Sequence, residues 1–452
     1  MTVTYDPDHP RYFDEADSRA EITRVFDLCD GCRLCLHLCP AFPTMFNILD
    51  AKGDEPGEPH GSAAKMTAAE QDRVVEECYQ CKLCYVKCPY VPPHEWDLDF
   101  PRLMMRARAV KTSSGQVSIK ERVTTKALSN TDLAGRLAVR AATVVNASLK
   151  PGSPLRKATD ALAGVASQRL LPPYAKERFS TWMKHRTGAV SAPRASVAVF
   201  STCSVEYMEP GIGRDLVAVF ERNGVACSLP ASSRCCGAPW LHAGEVDRFR
   251  TQARRNVGML IGEVRAGKDI VVPQPTCAYV LKKDYPLYVG TPDAQRVAEH
   301  SFDAAEYLVR LHRTGGGLDT EFQGSVPSEV TYHAACHGQA QNMGYKGRDL
   351  VKLTGAKVSV VAKCSGIDGT WGYRSSNYGL SKKVSASLAV ALKKQGERLV
   401  VGECHLANYS IYEETGAMPI HPVQLLAAAY GIGDGAEESG LPRTVDAKDG
   451  RG

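Results

Sequence analysis

The chain has 452 residues, and 44% of them are hydrophobic, which is ordinary for a globular protein of roughly three domains. Its N-terminal segment is acidic, and no run of about 18 apolar residues occurs, so the sequence predicts neither a secretory signal peptide nor a transmembrane helix. Sixteen cysteines in a protein of this kind favour thiols that bind metal in a reducing cytoplasm.

The net charge of +5 conceals an uneven distribution. Residues 1–101 contain 9 Lys/Arg and 19 Asp/Glu, whereas residues 102–186 contain 17 and 4. Such segregation is typical of a surface that meets a partner of opposite charge.

The first module, which we expect to span residues 1–108, contains one cysteine spacing twice. Each copy is a C-x2-C-x2-C-x3-C-P run, which holds [4Fe–4S] clusters, and the fourth cysteine of each run reaches the other cluster. Zinc and disulfides explain this repeated rhythm less well. The spacing therefore predicts two clusters, the first held by Cys29, Cys32, Cys35 and Cys88, and the second by Cys78, Cys81, Cys84 and Cys39.

Helical periodicity accompanies these runs at 19–28, 68–79 and 100–110, so we expect a helical two-cluster ferredoxin. A basic connector at 109–190 follows, with predicted helices at 131–148 and 153–171. These helices either pack with solvated basic faces or dock on anionic lipid or an acidic partner. Nucleic acid is not expected, because residues for base stacking are nearly absent from the connector.

From residue 191 onwards, short apolar segments alternate with helical ones, which predicts parallel βαβ units. Expected strands cover 195–200, 269–272, 328–332, 357–361 and 398–401. Three cysteine positions recur about 130 residues later: Cys203 and Cys336, Cys235 and Cys364, Cys277 and Cys404. The fold class is thus α+β multidomain, with two pseudo-repeated α/β domains at 191–320 and 321–452. Each domain should collect its thiols where parallel strands end.

The spacing Cys203-x31-Cys235-Cys236-Gly237, followed by Cys277, resembles the cysteine-rich CCG domain of heterodisulfide reductase subunits. The whole arrangement is most similar to the iron–sulfur C subunits of anaerobic glycerol-3-phosphate dehydrogenases. That resemblance includes the stretches at 130–133, 364–373 and 421–426. It implies an electron-transfer subunit that works beside a separate flavoprotein and passes electrons toward quinone.

The resemblance also implies a third, non-cubane [4Fe–4S] cluster on Cys203, Cys235, Cys236 and Cys277, although Val280 stands where the motif has its last cysteine. The second copy is degenerate, since Ser365 and Ala407 replace cysteines. Its remaining thiols could bind zinc or iron with a nearby histidine, or be packed free cysteines. His333, His337 and His405 are near in sequence, and the ligand set we expect is Cys336, Cys364, Cys404 and His405.

No complete G-x-G-x-x-G fingerprint occurs: the glycines at 211–213 and 431–435 look like turn residues. We therefore expect no flavin or NAD of its own and no catalytic residue, but a flavoprotein or other redox partner. The function predicted is an electron-transfer subunit in the cytoplasm, with possible peripheral contact at the inner membrane face through 109–190. A thiol–disulfide reductase acting at the non-cubane site and an iron–sulfur redox sensor are the alternatives.

Overall fold

A computed structural model describes residues 5–53, 61–186, 190–231, 234–314 and 316–432. Before Ala195, the regular elements in these ranges are helical. The first module contains α1 (Glu15–Cys32), α2 (Ala41–Asp50), α3 (Ala68–Glu77), α4 (Leu83–Lys87) and α5 (Phe100–Ser113). The three helices expected from the sequence correspond to α1, α3 and α5.

The first module packs around its own apolar core. Phe42 lies against Phe100, with ring centroids 4.6 Å apart, and the rings of Phe26 and Phe100 stack with centroids 6.1 Å apart. The helix starts follow ordinary capping chemistry: Thr67 and Glu70 form a capping box at α3, and Asp99 caps α5. Arg106 of α5 is fully buried and donates to the carbonyl of Tyr12 at 2.8 Å, which attaches the N-terminal segment to this core.

The connector is helical but more broken than its sequence suggests. Its elements are α6 (Ile119–Ser129), α7 (Thr131–Arg140), α8 (Ala142–Ser148), α9 (Pro154–Ala163) and α10 (Phe179–His185). The single helix expected at 131–148 is interrupted at Ala141, whose φ is −132°. The helix expected at 153–171 ends at Ala163, where Gly164 takes a left-handed conformation with φ 59°.

The first α/β unit is a four-stranded parallel sheet in the order β2-β1-β3-β4. Its strands are β1 (Ala195–Val199), β2 (Val225–Ser228), β3 (Asp269–Val272) and β4 (Ser301–Asp303). Its helices are α11 (Thr202–Tyr207), α12 (Pro210–Arg222), α13 (Ala238–His242), α14 (Val246–Arg265), α15 (Pro275–Tyr279), α16 (Tyr285–Val289), α17 (Pro292–Glu299) and α18 (Ala304–Thr314).

The second unit repeats this plan with a three-stranded parallel sheet in the order β6-β5-β7. Its elements are β5 (Glu329–His333), α19 (Cys336–Ala340), α20 (Lys346–Lys352), β6 (Lys357–Val361), α21 (Ser375–Lys393), β7 (Leu399–Gly402), α22 (His405–Thr415) and α23 (Pro422–Tyr430). All five expected strands are present within a residue or so of their predicted ends, whereas β2 and β4 were not predicted.

The glycines at 211–213 differ from expectation. Gly211 and Gly213 lie inside α12, not in a turn. A Cβ on Gly213 would approach the ring of Phe179 and the side chain of Val205 to 2.7 Å. Close packing of α12 therefore accounts for this glycine.

The modules are joined by buried polar contacts. Arg169, 1% exposed, donates to Gly372 O at 3.1 Å and to Glu413 Oε2 at 2.9 Å, so the connector is attached to the second α/β unit. At the other end of that unit, α23 packs on α12, and the Tyr430 hydroxyl donates to Asp319 O. In the described residues, no helix is both long enough and apolar enough to cross a bilayer.

Replacing Arg169 with Ala should destabilise the protein, because Glu413 and the Gly372 carbonyl would lose a buried partner. Glu413 keeps Lys382 at 3.6 Å, so the expected cost is that of lost charge-assisted hydrogen bonds, about 1.5–3 kcal/mol. We expect the thermal unfolding midpoint, measured anaerobically by circular dichroism, to fall by several degrees. Arg140→Ala, at an exposed connector position, is the control and should leave the midpoint unchanged; equal midpoints for both variants would contradict this role of Arg169.

Candidate iron–sulfur sites

The first predicted thiol set forms where α1 ends. Cys29 and Cys32 lie in its last turn, Cys35 follows the left-handed cap residue Arg33, and Cys88 is added from the end of α4. Burial raises the pKa of the Cys29 thiol, and the nearby thiols of Cys35, Cys88 and Cys32 raise it further. The structure thus brings together the four cysteines that the spacing grouped, with Cys32 exposed and the other three partly buried.

The second set surrounds the loop between α3 and α4. Gln80 and Lys82 have φ values of 59° and 63°, a strained conformation for residues with a side chain. These two turns place Cys78, Cys81 and Cys84 around one space, and Cys39 joins them from the start of α2. Burial raises the pKa of the Cys39 thiol, and the neighbouring thiols of Cys78 and Cys81 raise it further.

The donor chemistry of both sets fits a metal cluster. A buried thiol near other thiols holds its proton, whereas a metal-bound thiol is a thiolate whose charge the metal compensates. The two sets are adjacent, since the thiol of Cys35 also raises the pKa of Cys84. Four sulfurs in each of two neighbouring sets match the thiolate requirement of two four-iron clusters.

In the first α/β unit, a third set lies at the carboxyl edge of the sheet. Cys203 follows β1, Cys277 follows β3, and the Cys235-Cys236 pair ends the loop after β2. The thiols form a continuous series: Cys203 and Cys236 each interact with the sulfur of Cys235, and Cys277 interacts with that of Cys236. These hydrogen bonds lower the pKa of Cys235 and raise those of Cys203 and Cys236.

The Cys235-Cys236 turn is held rigidly. Gly237 has a φ of 91°, and a Cβ there would lie 2.8 Å from the ring of Phe249, so only glycine fits. Asn256 donates to Cys235 O at 3.1 Å, and the Tyr285 hydroxyl donates to Cys236 O at 3.0 Å.

The connector completes this third set. Asp132 in α7 accepts a hydrogen bond from the Cys235 amide at 3.0 Å and one from the Tyr207 hydroxyl at 3.4 Å. Burial, and then the thiol of Cys235, raise the pKa of Asp132 to about 6. The N-cap residue of α7 is Asn130, and its side chain makes no capping hydrogen bond. The sequence analysis did not predict this role of Asp132. The one signal that pointed to the residue was the resemblance of residues 130–133 to the family.

In the second α/β unit, three thiols meet beside the second N-terminal set. Burial raises the pKa of Cys336, and Asp368, Cys81, Cys364 and Cys404 raise it further. The Gly366 amide donates to the Cys364 sulfur at 3.3 Å. Cys364 and Cys336 pack with Cys81 around Tyr79 and Trp371, whose ring centroids are 5.2 Å apart.

His405 does not join these thiols, contrary to the ligand set expected for this unit. Its Nδ1 atom lies 3.0 Å from Glu209 Oε2, and its ring lies 4.9 Å from that of Tyr409. The backbone of α22 directs this side chain toward α12, whereas the pocket beside the thiols is lined by His333 and His337. Adjacency to Cys404 in sequence was therefore a poor guide to the fourth ligand.

The two α/β units face each other across α15 and α19, which pack together. Gln274, which precedes α15, donates to the Cys404 sulfur at 3.4 Å. Thr276, one residue before Cys277, lies 3.1 Å from Nδ1 of His337 through its hydroxyl. The four thiol sets consequently follow one another, from the exposed Cys32 to the set that contains Cys277.

Comparisons with known proteins agree with this architecture. Residues 197–282 and 330–411 match the cysteine-rich domain named CCG, and residues 22–114 match the Fer4-like domain of citrate utilization protein B. The iron–sulfur CCG domains and the ferredoxin-like domain expected from the sequence are therefore present.

Individual relatives support the same assignment. The C subunit of the anaerobic glycerol-3-phosphate dehydrogenase of Escherichia coli K12 is 30% identical over 338 residues, which cover 74% of this chain and 82% of the relative. Lactate utilization protein A of Shouchella clausii is 30% identical over 31% of this chain and 57% of its own length. Lactate utilization protein A of Bacillus thuringiensis is 24% identical, over 46% of this chain and 87% of its own length. The chain belongs to the family of the C subunit of anaerobic glycerol-3-phosphate dehydrogenase.

Proposed function

We propose that this protein is the iron–sulfur electron-transfer subunit of a multi-subunit oxidoreductase. The observation that carries the proposal is the unbroken succession of thiol sets across three modules. Cys35 neighbours Cys84, Cys81 neighbours Cys364 and Cys336, and Gln274 joins Cys404 to the helix of Cys277. Electron transfer through protein requires short gaps between redox centres; the neighbouring first and second sets support such a gap, and the thiols of the second α/β unit lie between the second and third sets.

Two [4Fe–4S] clusters and a third, non-cubane cluster would supply one-electron chemistry when bound. Cys29, Cys32, Cys35 and Cys88 would hold the first, and Cys78, Cys81, Cys84 and Cys39 the second. The third set is Cys203, Cys235, Cys236 and Cys277. The protein's contribution is to keep water and oxidants away from the sulfurs, since six of these twelve thiols are buried and Cys32 alone among them is exposed.

A separate flavoprotein would exchange electrons with this subunit, as the family resemblance implies, and quinone is the acceptor it suggests. The exposed position of Cys32 marks the first thiol set as a place where a redox partner can approach. The N-terminal excess of acidic residues would favour a basic partner surface there.

Iron analysis tests the ligand sets. Anaerobically prepared protein should contain about eight iron atoms from the two N-terminal sets, and about twelve when the third set is loaded. Cys81→Ala should lower iron by about four atoms and remove one EPR signal, because it deletes a ligand of the second set.

The matched control is Cys227→Ala. This thiol lies on β2, packed against the core of the first sheet and outside all the sets. Its replacement should leave iron content unchanged. Equal iron losses in both variants, or about four irons in the unaltered protein, would contradict the assignment.

We further propose that the connector touches an anionic membrane surface. Of the twelve large apolar side chains that are exposed within the described ranges, seven lie in α6–α9: Ile119, Val123, Leu133, Leu137, Val144, Leu155 and Leu162. Apolar side chains beside basic ones are the composition of helices that lie in a lipid interface. The positive charge that residues 102–186 present at the surface is smaller than their sequence suggests. Three of their arginines are buried and bind carbonyl oxygens: Arg106, Arg156 and Arg169.

Liposome flotation checks this contact. The protein should float with vesicles that contain phosphatidylserine at low salt and dissociate at high salt. The double variant Leu155→Ser/Leu162→Ser should bind about tenfold more weakly, because two exposed leucines no longer enter the interface. The control variant Val360→Ser/Val390→Ser, changed at exposed positions of the second α/β unit, should bind the vesicles as strongly as the unaltered protein. The proposal is excluded if vesicle binding changes neither with salt concentration nor with the two substitutions in α9.

A second candidate function is thiol–disulfide reduction at the third set. A pocket lined by Arg136, Arg234, Arg255 and Trp240 reaches Cys235, and its cationic groups suit an anionic disulfide. Reduction would consume two electrons and two protons and release two thiols, with the electrons delivered by reduced viologen in the assay. Cys236→Ala should abolish this activity and Cys227→Ala should not; no turnover by the unaltered, iron-loaded protein would eliminate the candidate.

A further inference from the structure

A compact group of metal-binding side chains lies where the second α/β unit meets α13. One ligand atom each from Cys336, His337 and Asp368 lies within 4.8 Å of the others. His242, at the end of α13 in the first unit, approaches the same carboxylate, with its Nδ1 3.8 Å from Asp368 Oδ2. The rings of His242 and His337 are nearly parallel, with an interplanar angle of 17° and centroids 6.2 Å apart.

The separation between His337 and Asp368 is longer than a hydrogen bond, and the contact between Cys336 and His337 is also compatible with two ligands of one ion. Cys336 Sγ is 3.8 Å from His337 Nδ1, and His337 Nδ1 is 4.0 Å from Asp368 Oδ1. An N–H···O hydrogen bond would bring nitrogen and oxygen to about 3 Å. A tetrahedral ion with bonds of roughly 2.0–2.3 Å keeps its ligand atoms roughly 3.3–3.8 Å apart, close to the spacing observed.

The state of the side chains is also suitable. His242 is 7% exposed and His337 2%, so both imidazoles are buried beside the thiol and the carboxylate. Their Nδ1 atoms are the nitrogens that approach the group: Nδ1 of His242 lies near Asp368, and Nδ1 of His337 lies near Cys336 and 3.1 Å from the Thr276 hydroxyl. An ion bound by His337 would replace this contact with Thr276.

An ion has a route to the group and a balanced charge there. A groove of about 760 Å³ between the first module and the connector reaches His242 and Asp368 from the surface. Lys82, 2% exposed, is a buried cation near Asp368, and it also lies near the carboxylates of Asp99 and Asp284. Asp368 is therefore not the sole carboxylate that balances the charge of Lys82.

We propose that Cys336, His337, Asp368 and His242 bind one zinc ion. Mixed sulfur, nitrogen and oxygen ligands in a tetrahedral set are typical of zinc, and four protein ligands leave no open position, which is characteristic of a structural site. The ion would clamp the first α/β unit to the second. Cys364 and Cys404 are outside the compact group, so this set replaces the one expected from the sequence.

Metal analysis of the full chain tests the site independently of the electron-transfer proposal. Protein from zinc-supplemented cells should contain about one zinc per chain in addition to iron. His242→Ala and Asp368→Asn should each reduce zinc at least fivefold while iron content and EPR signals stay the same. His300→Ala, a half-exposed histidine that lies beside Asp269, should retain the zinc.

Zinc-edge X-ray absorption of the unaltered protein decides the matter if a variant does not fold. One sulfur and three nitrogen or oxygen neighbours are expected. Three sulfur neighbours, zinc that is lost with Cys404→Ser but kept with Asp368→Asn, or protein without zinc would each overturn the proposal. None of these results bears on whether the three predicted iron–sulfur sets carry electrons.

Discussion

Close approach of buried sulfur atoms is the constraint on which the rest of this structure depends. At Cys29, Cys39 and Cys84, burial and neighbouring thiols raise the pKa of the thiol, so the thiolate forms there when metal compensates its charge. The backbone is shaped to maintain that approach. Left-handed turns at Gln80 and Lys82 curl one cysteine loop, and Gly237 lets another pass beside Phe249.

Contacts between modules serve the same end. Arg108 of α5 donates to His242 O at 2.9 Å, to Val75 O at 2.7 Å and to Cys78 O, so one side chain ties the first α/β unit to the loop of the second thiol set. Trp371 of the second unit donates to Glu76 O at 2.8 Å, next to that loop. The thiol sets are therefore positioned relative to one another by apolar packing and also by hydrogen bonds from side chains to backbone carbonyls of neighbouring modules.

Much of this arrangement is predictable from the sequence because spacing encodes it directly. The two runs of cysteines group as their intervals indicate, and the α/β cysteines lie where predicted parallel strands end. β2 and β4 escaped prediction because strands of four and three residues carry little periodic signal. The break at Ala141 escaped it because alanine is a good helix former, so the local sequence carries no signal for an interruption.

Side-chain direction was harder to predict than position along the chain. His337 and His405 both adjoin a cysteine, yet one faces the thiols and the other faces Glu209. Asp368 and His242 belong to different units, so no sequence interval relates them. The charge count likewise could not distinguish solvated arginines from Arg106, Arg156 and Arg169, which bind carbonyls in the interior.

The hydrogen bond from the Cys235 amide to Asp132 has a consequence for how such proteins can be recombined. The CCG match begins at residue 197 and ends at residue 282, within the first α/β unit. Here one of its cysteine turns depends on a carboxylate supplied from a helix that lies about a hundred residues earlier. A chimera that exchanges the C-terminal half between relatives would therefore have to include α7. The segment that must be transferred together is longer than the α/β unit itself.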